Sequence, residues 1–419
     1  MSNPSSKVRA LLLEKGAELV SVKQTVSQKQ EFVMKNSVLC SATSATVTKM
    51  SVKIAKGGMY AEKEYTVGED SEPAFIAEDI FSELSGRDSV FGSAPEEKDT
   101  AVNERSESAS GGAMIIQMKK LDGDAKKLGM TIPRASLMYT SISTELDNEL
   151  GTCISVEQSG YTLSYSTIFE KNGVSVSPIR VRKSFKALDA FPKFPLDCIK
   201  AKYCGLMLEK KPMERLTGSL IIAPGTLYYM MLDFLFGQLF EDAVATGSSD
   251  WTDRIGMPVL PQSFSAYMDP FHEFCVFGER IKSDGTLSKP YSLIEIGILK
   301  NFIVTPQSAA QLSLAPCGND GDNLVMPAGN TPLEQMIAQT EKGVIIFAFA
   351  GGGSGGEFSG TSPEAFLIEN GTIVAALDNP ELCGNWRDVF TENEVDFSVE
   401  RESDGEYLLP YMRIKDFSF

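Results

Sequence analysis

The sequence predicts an α+β fold, in which a mixed N-terminal region of one or two α/β units precedes a β-rich C-terminal domain with one buried helix. Helical and strand-like patterns alternate through roughly the first 200 residues. The segment 227–244 is apolar on nearly every face, and short apolar runs bounded by Gly and Asn follow Met257. We therefore predict two parts, residues 1–212 and 213–419.

The composition indicates an ordinary globular protein. Of 419 residues, 42% are hydrophobic and 23% are charged, and the net charge is -17 at pH 7. This acidity disfavours direct binding to nucleic acid or to an anionic membrane, since both need a basic face. The start of the sequence does not resemble a signal peptide, and the seven scattered cysteines form no C-x-x-C pair. We expect a cytoplasmic protein with reduced thiols.

Hydrophobic periodicity predicts the elements of the N-terminal region. Apolar residues at helical spacing indicate helices over 6–20, 72–84 and 113–129. Alternating Thr, Val and Ser residues predict antiparallel strands over 22–67. After the third helix, further strands are expected over 136–142, 153–158, 161–169 and 174–181. Residues 87–112, rich in Ser, Gly, Glu and Asp, are predicted to form a linker or mobile loop.

A buried helix is the main feature of the C-terminal half. A strand over 216–223 is followed by Pro-Gly-Thr, which predicts a turn and makes Thr226 the N-cap of a helix beginning near Leu227. The few polar residues of this helix are either a satisfied structural network or a site. Three of them, Gln238, Glu241 and Asp242, offer oxygen ligands for a hard cation.

The remaining elements of the C-terminal half follow from turn signals. Asp284-Gly285 marks a hairpin before a strand-like stretch over 291–304. A short helix is expected over 331–340, with Thr331 as its N-cap and Pro332 at its first position. The final strand is predicted over 406–414.

The segment 344–371 contains a run of glycines between two predicted strands. Gly351, Gly353 and Gly356 satisfy G-x-G-x-x-G, but a dinucleotide site requires a helix directly afterwards, and strand-like sequence follows instead. A P-loop would need Lys-Ser or Lys-Thr after the glycines. A G-x-S-x-G nucleophile elbow would need a following helix and a later histidine. We therefore favour a tight glycine loop, followed by a hairpin whose turn is Asn370-Gly371.

The single histidine limits the chemistry of the chain. His272 lies between Pro270 and an apolar stretch, so a packing role is favoured over a ligand role. Cys275 would form a thiolate–imidazole pair with His272 only if the chain bends between them. The acidic run 319–323 resembles a calcium loop but lacks the terminal Glu, which favours a solvated turn.

An ordered set of motifs in the C-terminal half resembles the TldD/PmbA family, whose older label is modulator of DNA gyrase. The resemblance covers about residues 216–419 and is only topological before them. The matching runs are GILKNF at 297–302, Ser308-Ala309, TPLEQM at 331–336, GGGSGGEFSG at 351–360, FLIENGTI at 366–373, Gly384-Asn385 and Leu409-Pro410.

The resemblance implies an assembly that handles peptides. TldD-type subunits are zinc metalloproteases with an H-E-x-x-x-H helix and a C-terminal cysteine ligand, whereas PmbA/TldE-type partners lack the metal site. Here Asp233, Phe234 and Gln238 stand where the first His, the Glu and the second His are expected, and 402–406 replaces the cysteine. The chain thus resembles the metal-free branch. No cofactor is expected in it, and zinc is expected only in a TldD-type partner.

The leading hypothesis is a non-catalytic, TldE/PmbA-like subunit of a cytoplasmic metalloprotease that processes or degrades unfolded peptides. It would form a homodimer, or a heterodimer with a TldD-type subunit. The glycine run suggests a peptide-binding loop, with these candidate residues: Gly352, Gly353, Gly356, Phe358 and Ser359. This hypothesis predicts that Gly353→Val weakens peptide binding and leaves the fold intact. The alternatives are a self-sufficient peptidase or hydrolase with another site, and a homodimeric peptide-binding scaffold.

Overall fold

The structure is a computed structural model. It describes residues 4–68, 72–85, 100–105, 108, 110–151, 153–171, 174–175, 178–189, 196–282, 285–319, 321 and 323–419. The predicted α+β class is confirmed, since helices pack against largely antiparallel sheets. Strands up to residue 185 form one sheet, and strands from residue 210 onwards form two others. The proposed division at 212/213 stays a prediction.

Long antiparallel strands build the N-terminal sheet. Its order is β3-β2-β1-β5-β6-β4, and β7 and β8 also pair with β6. The strands are β1 (Leu19–Lys35), β2 (Val38–Lys56), β3 (Met59–Val67), β4 (Thr100–Glu104), β5 (Met130–Asn148), β6 (Cys153–Lys171), β7 (Val174–Ser175) and β8 (Ile179–Phe185). Thr, Val and Ser at alternating positions suit such pleated, half-buried ladders.

Helices cover one face of this sheet. They are α1 (Pro4–Glu14), α2 (Pro73–Ser82), α3 (Gly111–Lys127) and α4 (Leu196–Leu206). Val20, Val22 and Phe32 share that face because residues two apart in a strand point the same way. The first two pack with α1 and α2, whereas Phe32 packs with α3 and α4. This face therefore carries two separate hydrophobic cores.

Two predictions for this region were wrong. The strands expected over 153–158 and 161–169 are one strand, β6. The glycine between them, Gly160, is no turn: a Cβ there would lie 2.2 Å from Cγ1 of Val276, so glycine permits close packing of the C-terminal half. The second error concerns the loop predicted over 87–112. Residues 87–99 lie outside the described residues, but β4 and the start of α3 fall within the remainder.

The main C-terminal sheet runs β13-β12-β11-β14-β22-β10-β15-β18-β19-β9, with β21 on β22. Its strands are β9 (Lys210–Lys211), β10 (Thr217–Ile222), β11 (Ala266–Met268), β12 (Tyr291–Glu295), β13 (Ile298–Leu299), β14 (Leu324–Val325), β15 (Lys342–Ile346), β18 (Ala365–Glu369), β19 (Thr372–Leu377), β21 (Val395–Ser403) and β22 (Tyr407–Ser418). The hairpin predicted at Asn370-Gly371 is confirmed between β18 and β19, and both turn residues have positive φ.

The helices of this half are α5 (Pro224–Leu239), α6 (Glu241–Ala245), α7 (Pro306–Leu312), α8 (Leu333–Ala338) and α9 (Trp386–Glu392). The predicted buried helix is confirmed, but it begins at Pro224 after an Ala223 N-cap and ends before the extended Phe240. Thr226 is therefore not its cap. Proline at the first turn needs no hydrogen-bond partner for its nitrogen, so the helix starts there.

The predicted cap of α8 was also wrong. Pro332 occupies the N-cap position and Thr331 lies outside the helix. The carboxylate of Glu400 instead accepts a hydrogen bond of 2.8 Å from Leu333 N. A contact from another strand thus satisfies the helix start, which local sequence does not reveal.

A third, smaller sheet contains the glycines. It consists of β16 (Ala350–Gly352), β17 (Glu357–Thr361) and β20 (Glu381–Asn385), in the order β16-β17-β20. The central strand β17 pairs with both neighbours, which leaves β16 at one edge.

A buried ion pair joins the two halves of the chain. Arg280, 3% exposed, donates from Nη2 to Oε2 of Glu104 at 2.6 Å and from Nε to Oε1 at 3.2 Å. Glu104 belongs to β4, in the stretch predicted to be a linker. Nearby, Gln158 Nε2 donates to Gly278 O at 2.9 Å. The N-terminal sheet thus holds the C-terminal half by specific polar contacts.

Candidate functional site

A cleft of about 110 Å³ lies between helix α5 and the glycine loop, defined as residues 351–356. Tyr229, Asp233 and Phe234 of α5 line one wall. Gly351, Gly352 and Gly353 line the other. The helix predicted to replace a zinc helix and the predicted peptide-binding loop therefore meet at one place.

Hydrogen bonds from the start of α9, directly after β20, hold the glycine loop next to helix α5. Trp386 N donates to Gly356 O at 2.9 Å, and Trp386 Nε1 donates to Met230 O of α5 at 3.0 Å. Arg387 donates from Nη1 to Gly355 O and from Nε to Asp250 Oδ2. These contacts hold the loop over the cleft. The motif Gly384-Asn385 pointed to this segment, but no local signal predicted the roles of Arg387 and Asp250.

Two glycines of the loop need to be glycine for different reasons. Gly356 has φ +97°, and a Cβ there would meet Asn385 Oδ1 and Phe234 Cδ2 at 3.2 Å. A Cβ at Gly353 would lie 1.6 Å from Glu357 O. The expectation that Gly353→Val leaves the fold intact is therefore wrong. Gly352 has open space around the Cβ position, so it is the place where a side chain can be added.

The three zinc-helix positions have separate environments. Asp233 is exposed and lines the cleft. Phe234 is 4% exposed, and its ring packs against Trp251 and Phe390 at centroid distances of 5.8 and 6.1 Å. Gln238 is buried, and its Oε1 accepts a hydrogen bond from Asp250 N at 2.8 Å. All three lie on α5, but they do not converge on one point of the cleft.

This donor set does not fit zinc. Tetrahedral zinc sites use thiolates, imidazoles and carboxylates. Phe234 has no donor atom, and the Gln238 amide is already used by the backbone at Asp250. Asp233 remains as one carboxylate. Among the described residues, no group of three His, Cys, Asp or Glu side chains is arranged to hold a metal ion.

Tyr229 lines the cleft and lies within electrostatic range of Asp404 and Glu406, in the turn between β21 and β22. Its side chain is 65% exposed. Loss of hydration at the hydroxyl, followed by the negative charges of Asp404 and Glu406, raises the pKa of Tyr229. The phenol therefore stays protonated at neutral pH and can donate a hydrogen bond to a ligand. No sequence signal predicted a role for this residue.

The predicted peptide-binding residues divide into two groups. Gly352, Gly353 and Gly356 line the cleft, as does Phe358. Phe358 is nevertheless 3% exposed and packs on Trp386 with a centroid distance of 4.9 Å, so it belongs mainly to the core. Ser359 lies in the central strand β17 between Gly352 and Cys383, and it is not among the residues that line the cleft.

The other candidate sites have structural roles in the described residues. His272 lies in a turn, where its Nδ1 accepts a hydrogen bond from Phe274 N at 3.4 Å, and Cys275 is fully buried. Glu241 Oε2 accepts from Thr305 N at 2.7 Å, ahead of α7. Of the acidic run 319–323, residues 320 and 322 lie outside the described residues. Asn319 is buried, and its Nδ2 donates to Lys289 O.

Residues 218–419 match the family profile of the PmbA/TldA metallopeptidase C-terminal domain. Metalloprotease PmbA of Escherichia coli O157:H7 is 27% identical over 192 residues, 43% of this chain and 42% of that protein. Metalloprotease MJ0996 of Methanocaldococcus jannaschii is 24% identical over 220 residues, 47% of this chain and 49% of that protein. The sequence matches thus span less than half of these relatives' lengths.

The fold is shared more widely than the sequence. The crystal structure of TldE from Thermococcus kodakarensis superposes with a TM-score of 0.82 at 16% identity, covering 99% of both chains. A Thermotoga maritima protein described as a modulator of a DNA gyrase gives 0.82 at 18% identity, also covering 99% of both chains. Within the described residues, no helix is both long and apolar enough to cross a membrane. The C-terminal domain of the chain, residues 218–419, therefore belongs to the metallopeptidase-related TldD/PmbA family.

Proposed function

We propose that this chain is a non-catalytic, TldE/PmbA-like subunit of a cytoplasmic TldD/TldE-type metalloprotease, in which it binds unfolded peptide in the cleft under the glycine loop. The observation that carries the proposal is the pairing of this cleft with a helix whose zinc positions hold Asp233, Phe234 and Gln238. The chain would therefore hold substrate, while a TldD-type partner would supply zinc and perform hydrolysis.

The main chain of β16 supports peptide binding. This strand is exposed and lies at the edge of its sheet, so one side of its backbone carries hydrogen-bonding groups that no described strand pairs. An extended peptide can add to such an edge by main-chain hydrogen bonds, with little dependence on its side chains. Glycine at 351, 352 and 353 leaves room for that approach.

The test is binding of labelled, denatured casein peptides to Gly352→Val, measured by fluorescence anisotropy. A Cβ at this position has no heavy atom within 4 Å, so valine can be accommodated, and its branched side chain narrows the approach to the edge of β16. We expect affinity to fall about tenfold or more, which corresponds to about 1.4 kcal/mol. Ser359→Val is the matched control, since it adds a similar side chain on β17, outside the cleft.

Unchanged affinity in Gly352→Val, with the same thermal unfolding as wild type, would contradict binding at the glycine loop. Equal losses in both variants would show that the effect comes from the small sheet and not from the cleft. Scrambling the peptide sequence should have little effect, because the proposed contacts are to its main chain.

A further inference from the structure

A second cavity, of about 370 Å³, lies where the two halves of the chain meet. Its volume falls within the range of small-molecule sites. The N-terminal half contributes Arg182 of β8 to its lining. The C-terminal half contributes, among others, Tyr228, Phe277, Asn323, Asp404 and Glu406. The cavity shares no described lining residue with the cleft under the glycine loop, so it is a separate feature of the molecule.

Charges of both signs line this cavity without pairing with each other. No ion pair within the described residues involves Arg182, Asp404 or Glu406. All three nevertheless act on the hydroxyl of the neighbouring Tyr229, whose pKa is raised by burial and then by the two carboxylates, and lowered by Arg182. The three charges therefore lie near one another, and the cavity leaves room for a ligand between them.

The turn that carries the two carboxylates is held from both halves of the chain. Nζ of Lys183, the neighbour of Arg182 in β8, donates a hydrogen bond to Ser403 O. Asn323 Nδ2 donates to Gly405 O at 3.1 Å. The strand that carries the positive charge thus also fixes the turn that carries the negative charges. A backbone that is fixed before binding lowers the cost of ordering the site around a ligand.

The rest of the lining is largely aromatic. Tyr228 is held in place because its ring stacks on Tyr407 at a centroid distance of 4.6 Å, and Phe277 adds a second ring to the lining. Asn323 Oδ1 is buried and accepts from no described donor. Such an acceptor favours a ligand that donates a hydrogen bond over one that only accepts. The cavity therefore suits a ligand with an apolar group and an N–H donor.

The charges decide between classes of ligand. An anion would meet two carboxylates, and a simple cation would meet the guanidinium of Arg182. A neutral apolar ligand would take charged groups out of water without giving them partners. A zwitterion, by contrast, supplies a partner of the opposite sign to each of them.

We propose that this cavity binds a small zwitterion that also carries an apolar side chain, as a free apolar α-amino acid or a dipeptide does. The ammonium of the ligand donates to Asp404 and Glu406, and its carboxylate accepts paired hydrogen bonds from Arg182. Its side chain packs against Tyr228 and Phe277. The site lies outside the cleft, so it goes beyond the function proposed above and does not depend on it.

Isothermal titration calorimetry of the full chain with alanyl-phenylalanine tests the proposal. We expect this dipeptide to bind, and we expect acetylation of its ammonium or amidation of its carboxylate to weaken binding about tenfold or more. Each cap removes one charge-assisted contact. Free phenylalanine is titrated in parallel, and whichever of the two binds more tightly identifies the source of the zwitterion.

Variants of β8 locate the contact with the carboxylate. Arg182→Gln should weaken binding of the dipeptide about tenfold and change the affinity of its amide less than about twofold, because only the free carboxylate pairs with the guanidinium. Arg180→Gln is the matched control, since Arg180 is exposed on the same strand and does not line the cavity. This variant should bind like wild type. Gly352→Val should do so too, which separates this site from the cleft.

No binding to wild type at millimolar ligand would overturn the proposal, as would equal affinities for the dipeptide and its capped forms. Equal losses in Arg182→Gln and Arg180→Gln would overturn it as well, because the effect would then come from the general charge of β8. Loss of dipeptide binding in Gly352→Val would assign the ligand to the cleft instead. Thermal unfolding followed by circular dichroism checks that each variant is folded.

Discussion

The two halves of the molecule bury their apolar side chains differently. In the C-terminal half, a large core surrounds α5 and includes the β17 residue Phe358 and the α9 residue Trp386, and a smaller core lies on the opposite face of the main sheet. In the N-terminal half, separate smaller cores lie along one face of a long sheet. A large core around one helix constrains many side chains at once, whereas a sheet covered on one face requires mainly that apolar and polar residues alternate.

The largest loss of stability is expected at Trp386, in the large core of the C-terminal half. Its ring is 1% exposed and packs against Phe358 and Phe390, and its Nε1 bonds Met230 O. We expect Trp386→Ala to lower the free energy of unfolding by about 3–5 kcal/mol, measured by urea denaturation. Trp386→Phe keeps much of the packing and should cost less. A loss below about 1 kcal/mol in Trp386→Ala would contradict the conclusion that the large core links the glycine loop to α5.

A smaller effect is expected at the contact between the halves. Arg280→Ala leaves the Glu104 carboxylate without its bidentate partner, so we expect a loss of about 2–3 kcal/mol. Because this contact couples the two cores, urea unfolding followed by tryptophan fluorescence and by circular dichroism should separate into two transitions. Both tryptophans, Trp251 and Trp386, report on the C-terminal half. Coincident transitions in this variant would show that the ion pair does not couple the halves.

The smallest expected effect is at Glu145, within the N-terminal sheet. Burial, followed by the charges of Asp147 and Glu157, raises the pKa of Glu145. Its Oε2 and the Oε1 of its cross-strand neighbour Gln24 are buried without a described hydrogen-bond partner. The folded state therefore holds the proton more tightly than the unfolded state, and ionisation at Glu145 costs stability as pH rises above its ordinary value of 4.5.

Glu145→Gln should consequently be more stable than wild type at pH 7, by about 0.5–1.5 kcal/mol, because an uncharged amide can donate to Gln24. The gain should shrink as pH falls towards 4.5 and level off below it, because wild-type Glu145 is then protonated in both the folded and the unfolded state. Thermal melts of both proteins across this pH range measure the difference. A gain that is equal at all pH values would show that ionisation is not its cause.

Local signals predicted the elements that local chemistry determines. The Asn370-Gly371 hairpin needs positive φ at both turn residues, and Asn-Gly is the residue pair that such turns prefer. The apolar helix α5 and the glycine loop were also predicted from local sequence, the helix from its apolar residues and the loop from its run of glycines. That they meet at one cleft is a tertiary contact, which the sequence analysis did not predict.

The errors have tertiary causes. Glu104 lies in a polar stretch, yet β4 forms there because β6 pairs with it and Arg280 binds it. Gly160 lies between the two strands predicted over 153–158 and 161–169. In the structure it is part of one strand, and its lack of a side chain makes room for Val276. Gly352 and Gly353 are neighbouring residues of the same type. Only the structure shows that a side chain has room at 352, whereas a Cβ at 353 would clash with Glu357 O. Sequence patterns do not contain these through-space contacts.

The proposed non-catalytic role is tested most directly by the zinc content and the peptide hydrolysis of the purified chain, alone and mixed with a TldD-type subunit, each with and without chelator. If the chain is a non-catalytic subunit, it should contain no stoichiometric zinc and show no hydrolysis on its own. The mixture should show chelator-sensitive hydrolysis, and Gly352→Val should weaken that hydrolysis. Bound zinc at one ion per chain, or chelator-sensitive hydrolysis by the chain alone, would contradict the conclusion that Asp233, Phe234 and Gln238 form no metal site.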